Sequence, residues 1–215
     1  MIYAPVIIPT LCRAEKFKNC IESLKKNPYA KYTELYISLD YPPSEKYRKG
    51  YQEIEQYLEA GIDGFANVII LKQRENQGSY GNYQVLKKRV YEKHDCYIFS
   101  EDDNIFSPDF LEYMDKCLTE FEKDEKILAV TGYSYPIDWQ TDKYSVLKIN
   151  SYFAAWGFGI WRDKEEEMLK HLSLENFERI LKDLVITKKF LTHTKIGREC
   201  PPLLTESLKH SQPMD

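Results

Sequence analysis

The stretch Tyr97-Ile98-Phe99-Ser100-Glu101-Asp102-Asp103-Asn104 sets a short apolar run directly before three consecutive carboxylates. An apolar run of this length bounded by polar residues reads as a strand buried on both faces, and the acids then fall just past its carboxyl end. Like charges a few ångströms apart repel, so three acids at a sheet edge want a cation to neutralise them. Mg²⁺ or Mn²⁺ prefers oxygen ligands and typically uses one or two carboxylates together with substrate phosphates and water. The plainer alternative is that the acids are solvated or cap the next helix.

Working outward, the same alternation of apolar runs and helical stretches fills residues 1–131. Val6-Ile7-Ile8, Leu35 to Leu39, Val68 to Leu71 and Ile127 to Val130 read as further strands. Between the first two, Phe17, Cys20, Ile21 and Leu24 recur at the spacing of one helix face, which makes Cys20 a core residue rather than a ligand. Tyr47, Tyr51, Ile54 and Leu58 mark a second helix ending at Gly61, and Tyr83, Leu86 and Val90 a third, entered through Gln77-Gly78. Ser107-Pro108 reads as an N-cap followed by a first-position proline, before a helix with Phe110, Leu111, Met114, Leu118 and Phe121 on its buried stripe. The expected fold is α/β, a doubly wound and mostly parallel sheet with helices on both faces.

In such sheets ligands bind outside the carboxyl ends of the strands. The loops there are Pro9-Thr10-Leu11-Cys12-Arg13, Asp40-Tyr41-Pro42, Gln73-Arg74-Glu75-Asn76-Gln77-Gly78 and the acidic run. Together they offer an acceptor for a base edge (Asp40), cations for phosphate (Arg13 and Arg74), a close-approach glycine (Gly78) and a metal site. Singly, Asp40-Tyr-Pro reads as a turn and Arg13 as a solvated side chain.

Beyond Thr131 the sequence becomes irregular and aromatic, with Tyr133, Tyr135, Trp139 and the run Tyr152 to Trp161, which predicts a few mixed strands and a loop; the glycines within Trp156 to Trp161 suggest that the loop there is exposed and mobile. Two helical stretches follow, carrying Met168, Leu169 and Leu172, then Phe177, Ile180, Leu181 and Leu184; residues 199–215 read as a tail. At 215 residues the chain fits one α/β domain. Its 17 tyrosines suit a core and a sugar-binding surface alike, since the ring is apolar and the hydroxyl both donates and accepts. A net charge of -4 gives no general reason to hold nucleic acid. Five scattered cysteines without a C-x-x-C pair argue against a disulfide framework or structural zinc, and for a reducing, cytoplasmic compartment. The opening residues read as a strand rather than a signal peptide. No apolar run reaches the roughly 20 residues of a membrane span, so any membrane contact is expected to be peripheral, at the inner face. The four histidines share no spacing; His193 is the one kept in view as an extra ligand.

In order and spacing these motifs resemble the nucleotide-sugar glycosyltransferases of the GT-A fold, most of all the bacterial family 2 type, with an acidic motif similar to the N-acetylglucosaminyltransferase I type. The resemblance covers roughly residues 4–165. It implies that Pro9, Thr10 and Arg13 form the first nucleotide loop and that Asp40 reads the base. Asn76-Gln77-Gly78 would be the N-x-G loop near the donor sugar, with Arg74 beside it as a cation for phosphate. Glu101-Asp102-Asp103 would be the DxD-type motif, with Asp102 toward ribose or sugar and Asp103 on Mn²⁺ or Mg²⁺. Trp156 and Gly157 would open the segment that closes over donor and acceptor.

Its domains would be a single GT-A unit over 1–198, with a nucleotide-binding half (1–131) and an acceptor-side half (132–198), then the tail. The implied reaction moves a sugar, from a UDP-sugar by expectation, to a hydroxyl of a glycan or lipid-linked saccharide acceptor. An inverting enzyme of this type also needs a general base after the Trp-Gly segment. Asp163, Glu165, Glu166, Glu167, Glu175 and Glu178 all qualify. Family-like distance favours Glu175 or Glu178, while Glu165 to Glu167 read as the solvated first turn of a helix. Two rivals stand beside this reading: a nucleotidyltransferase, which would want a Gly-rich basic loop after the first strand, and a truncated, non-catalytic binding protein. A dinucleotide-binding oxidoreductase would need G-x-G-x-x-G where Pro9 to Arg13 stand.

Overall fold

The computed structural model describes residues 1–133, 146, 148 and 153–171. The strands are β1 (Val6–Thr10), β2 (Glu34–Leu39), β3 (Asn67–Lys72), β4 (Cys96–Phe99), β5 (Ala129–Thr131) and β6 (Phe158–Trp161). They form one six-stranded sheet of order β3-β2-β1-β4-β6-β5. The first four are parallel, with Val6 opposite both Leu35 and Ile98, while β6 runs antiparallel to β4 and to β5. The sheet is therefore mostly parallel with one reversed strand inserted. Glu167–Asp215 forms a second compact unit, of which only the last residues of a helix are described. The domain boundary expected at 198 falls outside the described residues, as do Trp139, His193 and the stretch from Leu172 on.

Strand side chains alternate between faces, and this sorts the core into two layers. Val6, Ile8, Leu35, Ile37 and Ile98 pack with helices α1 (Ala14–Lys25), α2 (Arg48–Glu59) and α4 (Phe110–Glu120). Ile7, Tyr36, Tyr97 and Ile160 pack with Leu86 and Val90 of α3 (Gly78–Val90). The apolar stripe of α1 is fully buried at Phe17, Cys20, Ile21 and Leu24; each large one of these contributes about 1.5–3 kcal/mol of transfer free energy. Pro9 sits in a central strand without losing a ladder bond. The carbonyls of Pro5 and Ile7 accept from the amides of Ile98 and Ser100, so odd positions of β1 face β4. The N–H that Pro9 lacks would point past the end of β4.

Four local expectations are corrected. Helix α4 begins at Phe110 rather than at Pro108: the Ser107 carbonyl accepts the Phe110 amide at 3.2 Å, so Pro108 occupies a turn, whose backbone angle its ring presets. Residues 158–161 of the expected loop at 156–161 are strand β6, whose Gly159 lies close against the side chains of Met114 and Leu118. The acidic start of α5 (Arg162–His171) is not uniformly solvated. Glu165 is buried and accepts bonds from the hydroxyls of Tyr83 (3.0 Å), Tyr91 (2.6 Å) and Tyr97 (3.2 Å) and from Lys87 Nζ (3.2 Å). Leu169, expected on a buried face, is exposed.

Candidate active site

Each loop at the carboxyl rim is tied to its neighbour by hydrogen bonds, so the rim is one connected structure. The Asp40 amide donates to the Thr10 carbonyl at 2.9 Å, which joins the loops after β2 and β1. The Asp40 side chain, 3% exposed, accepts from the amides of Tyr41 (2.9 Å) and Gln77 (2.8 Å) and from Asn76 Nδ2 (3.1 Å), which joins the loop after β3. A carboxylate offers about four lone-pair sites, so three bonds leave Asp40 room for one more donor. Thr10 Oγ1 donates to Asp102 Oδ2 at 2.8 Å, which joins the acidic loop after β4.

Arg13 extends this chain of bonds. Its Nη1 donates to Asp103 Oδ2 at 2.6 Å and its Nη2 to Asp102 Oδ1. Asp102 is buried, Asp103 a quarter exposed and Arg13 half exposed, so the guanidinium lies on the solvent side of the acids. Glu101 makes no ion pair with Arg13; burial, then the negative charge of Asp103, raise its carboxyl above the usual range. The Cys12 thiol beside them is likewise raised, by burial and then by Asp102. Arg74 is exposed, and Gly78 opens α3 at φ +70°.

The second wall comes from the segment before β6. Phe158 pairs with Phe99, so Trp156 and Gly157 lie where β4 passes into Ser100 and Glu101. Gly157 has φ +79°, and a Cβ there would meet the rings of Phe106 at 3.0 Å and Phe110 at 3.2 Å. Its carbonyl accepts the Gly132 amide at 2.9 Å. Trp156 is 53% exposed and meets Tyr133 edge to face at 4.9 Å. An exposed, braced indole beside an acidic loop can take the apolar face of a sugar.

Pro9, Thr10, Arg13, Asp40, Arg74, Gln77, Gly78, Glu101, Asp102, Asp103, Trp156 and Gly157 thus all lie on strand ends or loops of this one rim. Glu175 and Glu178 lie outside the described residues. The donor set at 101–103 is all oxygen, which suits Mg²⁺ or Mn²⁺. Among the described residues no group of three His, Cys, Asp or Glu side chains could hold an ion alone, so further ligands would have to come from a diphosphate and water.

Two positioning residues escaped the sequence reading. Asn82 is buried in α3; it bonds Ser38 Oγ, and its Nδ2 donates to the carbonyls of Ser38 (3.0 Å) and Thr10 (3.4 Å). The signal was an amide at four-residue spacing from Leu86 and Val90. Gly50, in the first turn of α2, has the Cys12 carbonyl oxygen 1.9 Å from where a Cβ would be. The signal was a glycine inside a helical pattern, which often marks close backbone approach.

The comparisons with known proteins agree with this architecture. The mannosyltransferase PcManGT from Pyrobaculum calidifontis, in complex with GDP-Man and Mn²⁺, matches with a TM-score of 0.54 at 16% identity, over 77% of this chain and 46% of that one. TarS from S. aureus matches with a TM-score of 0.43 at 18% identity, over 56% of this chain and 20% of that one. A TarS structure covering residues 1–349 gives 0.43 at 16%, over 60% and 35%. This chain therefore spans less than half the length of each of these proteins. No curated protein sequence matches it. The strand order, its antiparallel β6 and the likeness to PcManGT make the fold GT-A. Residues 6–186 match the sequence model of glycosyl transferase family 2, and the chain belongs to that family.

Proposed function

We propose that this domain transfers a sugar from a nucleotide-diphosphate sugar, a UDP-sugar on our reading, to a hydroxyl of a glycan or lipid-linked acceptor. Mn²⁺ or Mg²⁺ would be held at Asp103. The observation that carries the reading is the hydrogen-bonded chain Asp40–Thr10–Asp102–Arg13–Asp103. It ties a buried carboxylate to an oxygen-rich acidic loop along one rim, which supports a donor site spanning both. Membership of family 2 and the likeness to a mannosyltransferase carrying GDP-Man and Mn²⁺ support the same class of donor.

In this reading the free lone pair of Asp40 accepts an N–H of the base edge. Thr10 keeps the buried Asp102 turned toward the ribose or the donor sugar. Arg13 and Arg74 face the diphosphate, and Trp156 covers the sugar and excludes water. A divalent ion at Asp103 would supply charge neutralisation for the departing diphosphate. Glu175 or Glu178 would take the proton of the acceptor hydroxyl in an inverting reaction. Among the described residues no helix is long and apolar enough to cross a membrane; we place the domain in the cytoplasm, with any membrane contact at the inner face.

The test is a panel of UDP- and GDP-sugars assayed for release of the nucleoside diphosphate, with Mn²⁺, with Mg²⁺ and with EDTA. Metal-dependent release from one donor is expected. Thermal stabilisation by UDP or GDP with Mn²⁺ but no release from any donor would point to a non-catalytic binding protein. Absence of both would refute the donor site.

A further inference from the structure

Arg13 stands between two anionic partners. Its guanidinium bonds Asp103 Oδ2 at 2.6 Å and Asp102 Oδ1. The other oxygen of Asp102 is occupied by Thr10 Oγ1 at 2.8 Å, so Asp102 is satisfied and fixed. Asp103 has no such third partner, which leaves the Arg13 contact as its one neutralising bond among the described residues. Paired hydrogen bonds between a guanidinium and carboxylates are strong and directional. A cation approaching Asp103 from solvent meets that positive charge first.

The stem of Arg13 is anchored while its head is free. Its carbonyl accepts the Phe17 amide at 2.9 Å as α1 begins, and the preceding Cys12 carbonyl lies against Gly50. The side chain is 49% exposed, against 6% for Asp102. The guanidinium can therefore leave the acids by rotation of its own side chain, without moving the loop.

We propose that Arg13 makes divalent-ion binding conditional on the nucleotide. Without donor it is the internal counterion of Asp103; when a diphosphate arrives, the guanidinium exchanges Asp103 for phosphate oxygens and leaves the carboxylate to the ion. The inference rests on the metal-dependent donor site proposed above. It adds that ion and nucleotide bind cooperatively because one side chain is shared, so each must raise the affinity of the other by the same factor.

The experiment measures Mn²⁺ uptake from the loss of its free electron paramagnetic resonance signal. The wild type, Arg13→Gln and Arg13→Lys are compared without nucleotide, with UDP and with GDP. Arg13→Gln removes the charge and should bind Mn²⁺ alone at least tenfold more tightly than the wild type, while the enhancement by nucleotide shrinks. Arg13→Lys keeps the charge and should bind Mn²⁺ alone as weakly as the wild type, which also shows that the loop tolerates substitution. If the wild type takes up Mn²⁺ with nucleotide but Arg13→Gln is no tighter for Mn²⁺ alone, the exchange is wrong and the metal site stands. If no variant takes up Mn²⁺ under any condition, the metal site falls and the exchange with it.

Discussion

Asp103, where the metal site is proposed, has surroundings that define a clean substitution. Its carboxylate is a quarter exposed and carries one ion pair, with Arg13, so Asp103→Asn keeps shape and hydrogen bonding while removing charge. It should abolish Mn²⁺-dependent binding of UDP or GDP with little change in melting temperature; calorimetry showing undiminished binding would eliminate the assignment. The base is tested in the same way. Of Glu175→Ala and Glu178→Ala, one should bind donor normally and transfer at least about a hundredfold more slowly; near-normal transfer by both would move the base elsewhere. The rim residues could be read from sequence because polar loops after apolar runs are visible in one dimension. That Arg13 would meet Asp102 and Asp103 was not readable, since spacing does not say which anion an arginine finds when its ligand is absent.

Among elements, α2 and the loop after β1 meet at Gly50, where the Cys12 carbonyl fills the space a methyl group would need. In a helix, alanine is intrinsically better than glycine by roughly 0.5–1 kcal/mol, so propensity alone predicts that Gly50→Ala stabilises. The Cys12 carbonyl 1.9 Å from that Cβ predicts the reverse, because a backbone oxygen cannot rotate aside. Gly50→Ala should lower the melting temperature and weaken nucleotide binding severalfold; a more stable variant with unchanged affinity would show that the contact is slack. Helix α5 is pinned by Glu165. Burial first, and this carboxylate as well, push the Tyr91 hydroxyl well above its ordinary range. Glu165→Ala removes the acceptor shared by Lys87 and three hydroxyls, of which Tyr83 and Tyr97 keep only their bond to each other, and should cost about 3–5 kcal/mol in urea unfolding; a loss under 1 kcal/mol would mean that water replaces it. Helices with regular apolar spacing, such as α1, were legible. Strand β6 and buried Glu165 were not: two glycines among aromatics look like a loop until β4 and β5 close around them, and an acidic run looks solvated until Tyr83, Lys87 and Tyr91 are seen on one stripe of α3.

Over the whole molecule, stability should carry the mark of a carboxyl buried far from the rim. Asp115 of α4 is fully buried; its Oδ1 accepts the Ala4 amide at 3.0 Å and its Oδ2 has no hydrogen-bond partner among the described residues. Burial lifts it from 3.8 to about 7, and the Ala4 bond offsets only part of that rise. Between these values the folded protein keeps a proton that the unfolded chain has released. Its contribution is thus complete below about pH 4 and is lost as pH rises to about 7. Asp115→Asn should flatten this slope and stabilise the protein above pH 7 by about 1–2 kcal/mol; parallel urea midpoints for both proteins from pH 5 to 8 would refute it. The strand order carries a consequence for synthesis. β4 is followed in the chain by β5, yet the strand that covers its free edge is β6, whose first residue comes 59 positions after the last of β4. As the chain leaves the ribosome, β5 has no place in the sheet and β4 shows open backbone groups to solvent until Phe158 to Trp161 emerge. A ribosome stalled in that interval would hold a half-built sheet with one sticky margin, and there a chaperone that shields unpaired strands has most to do.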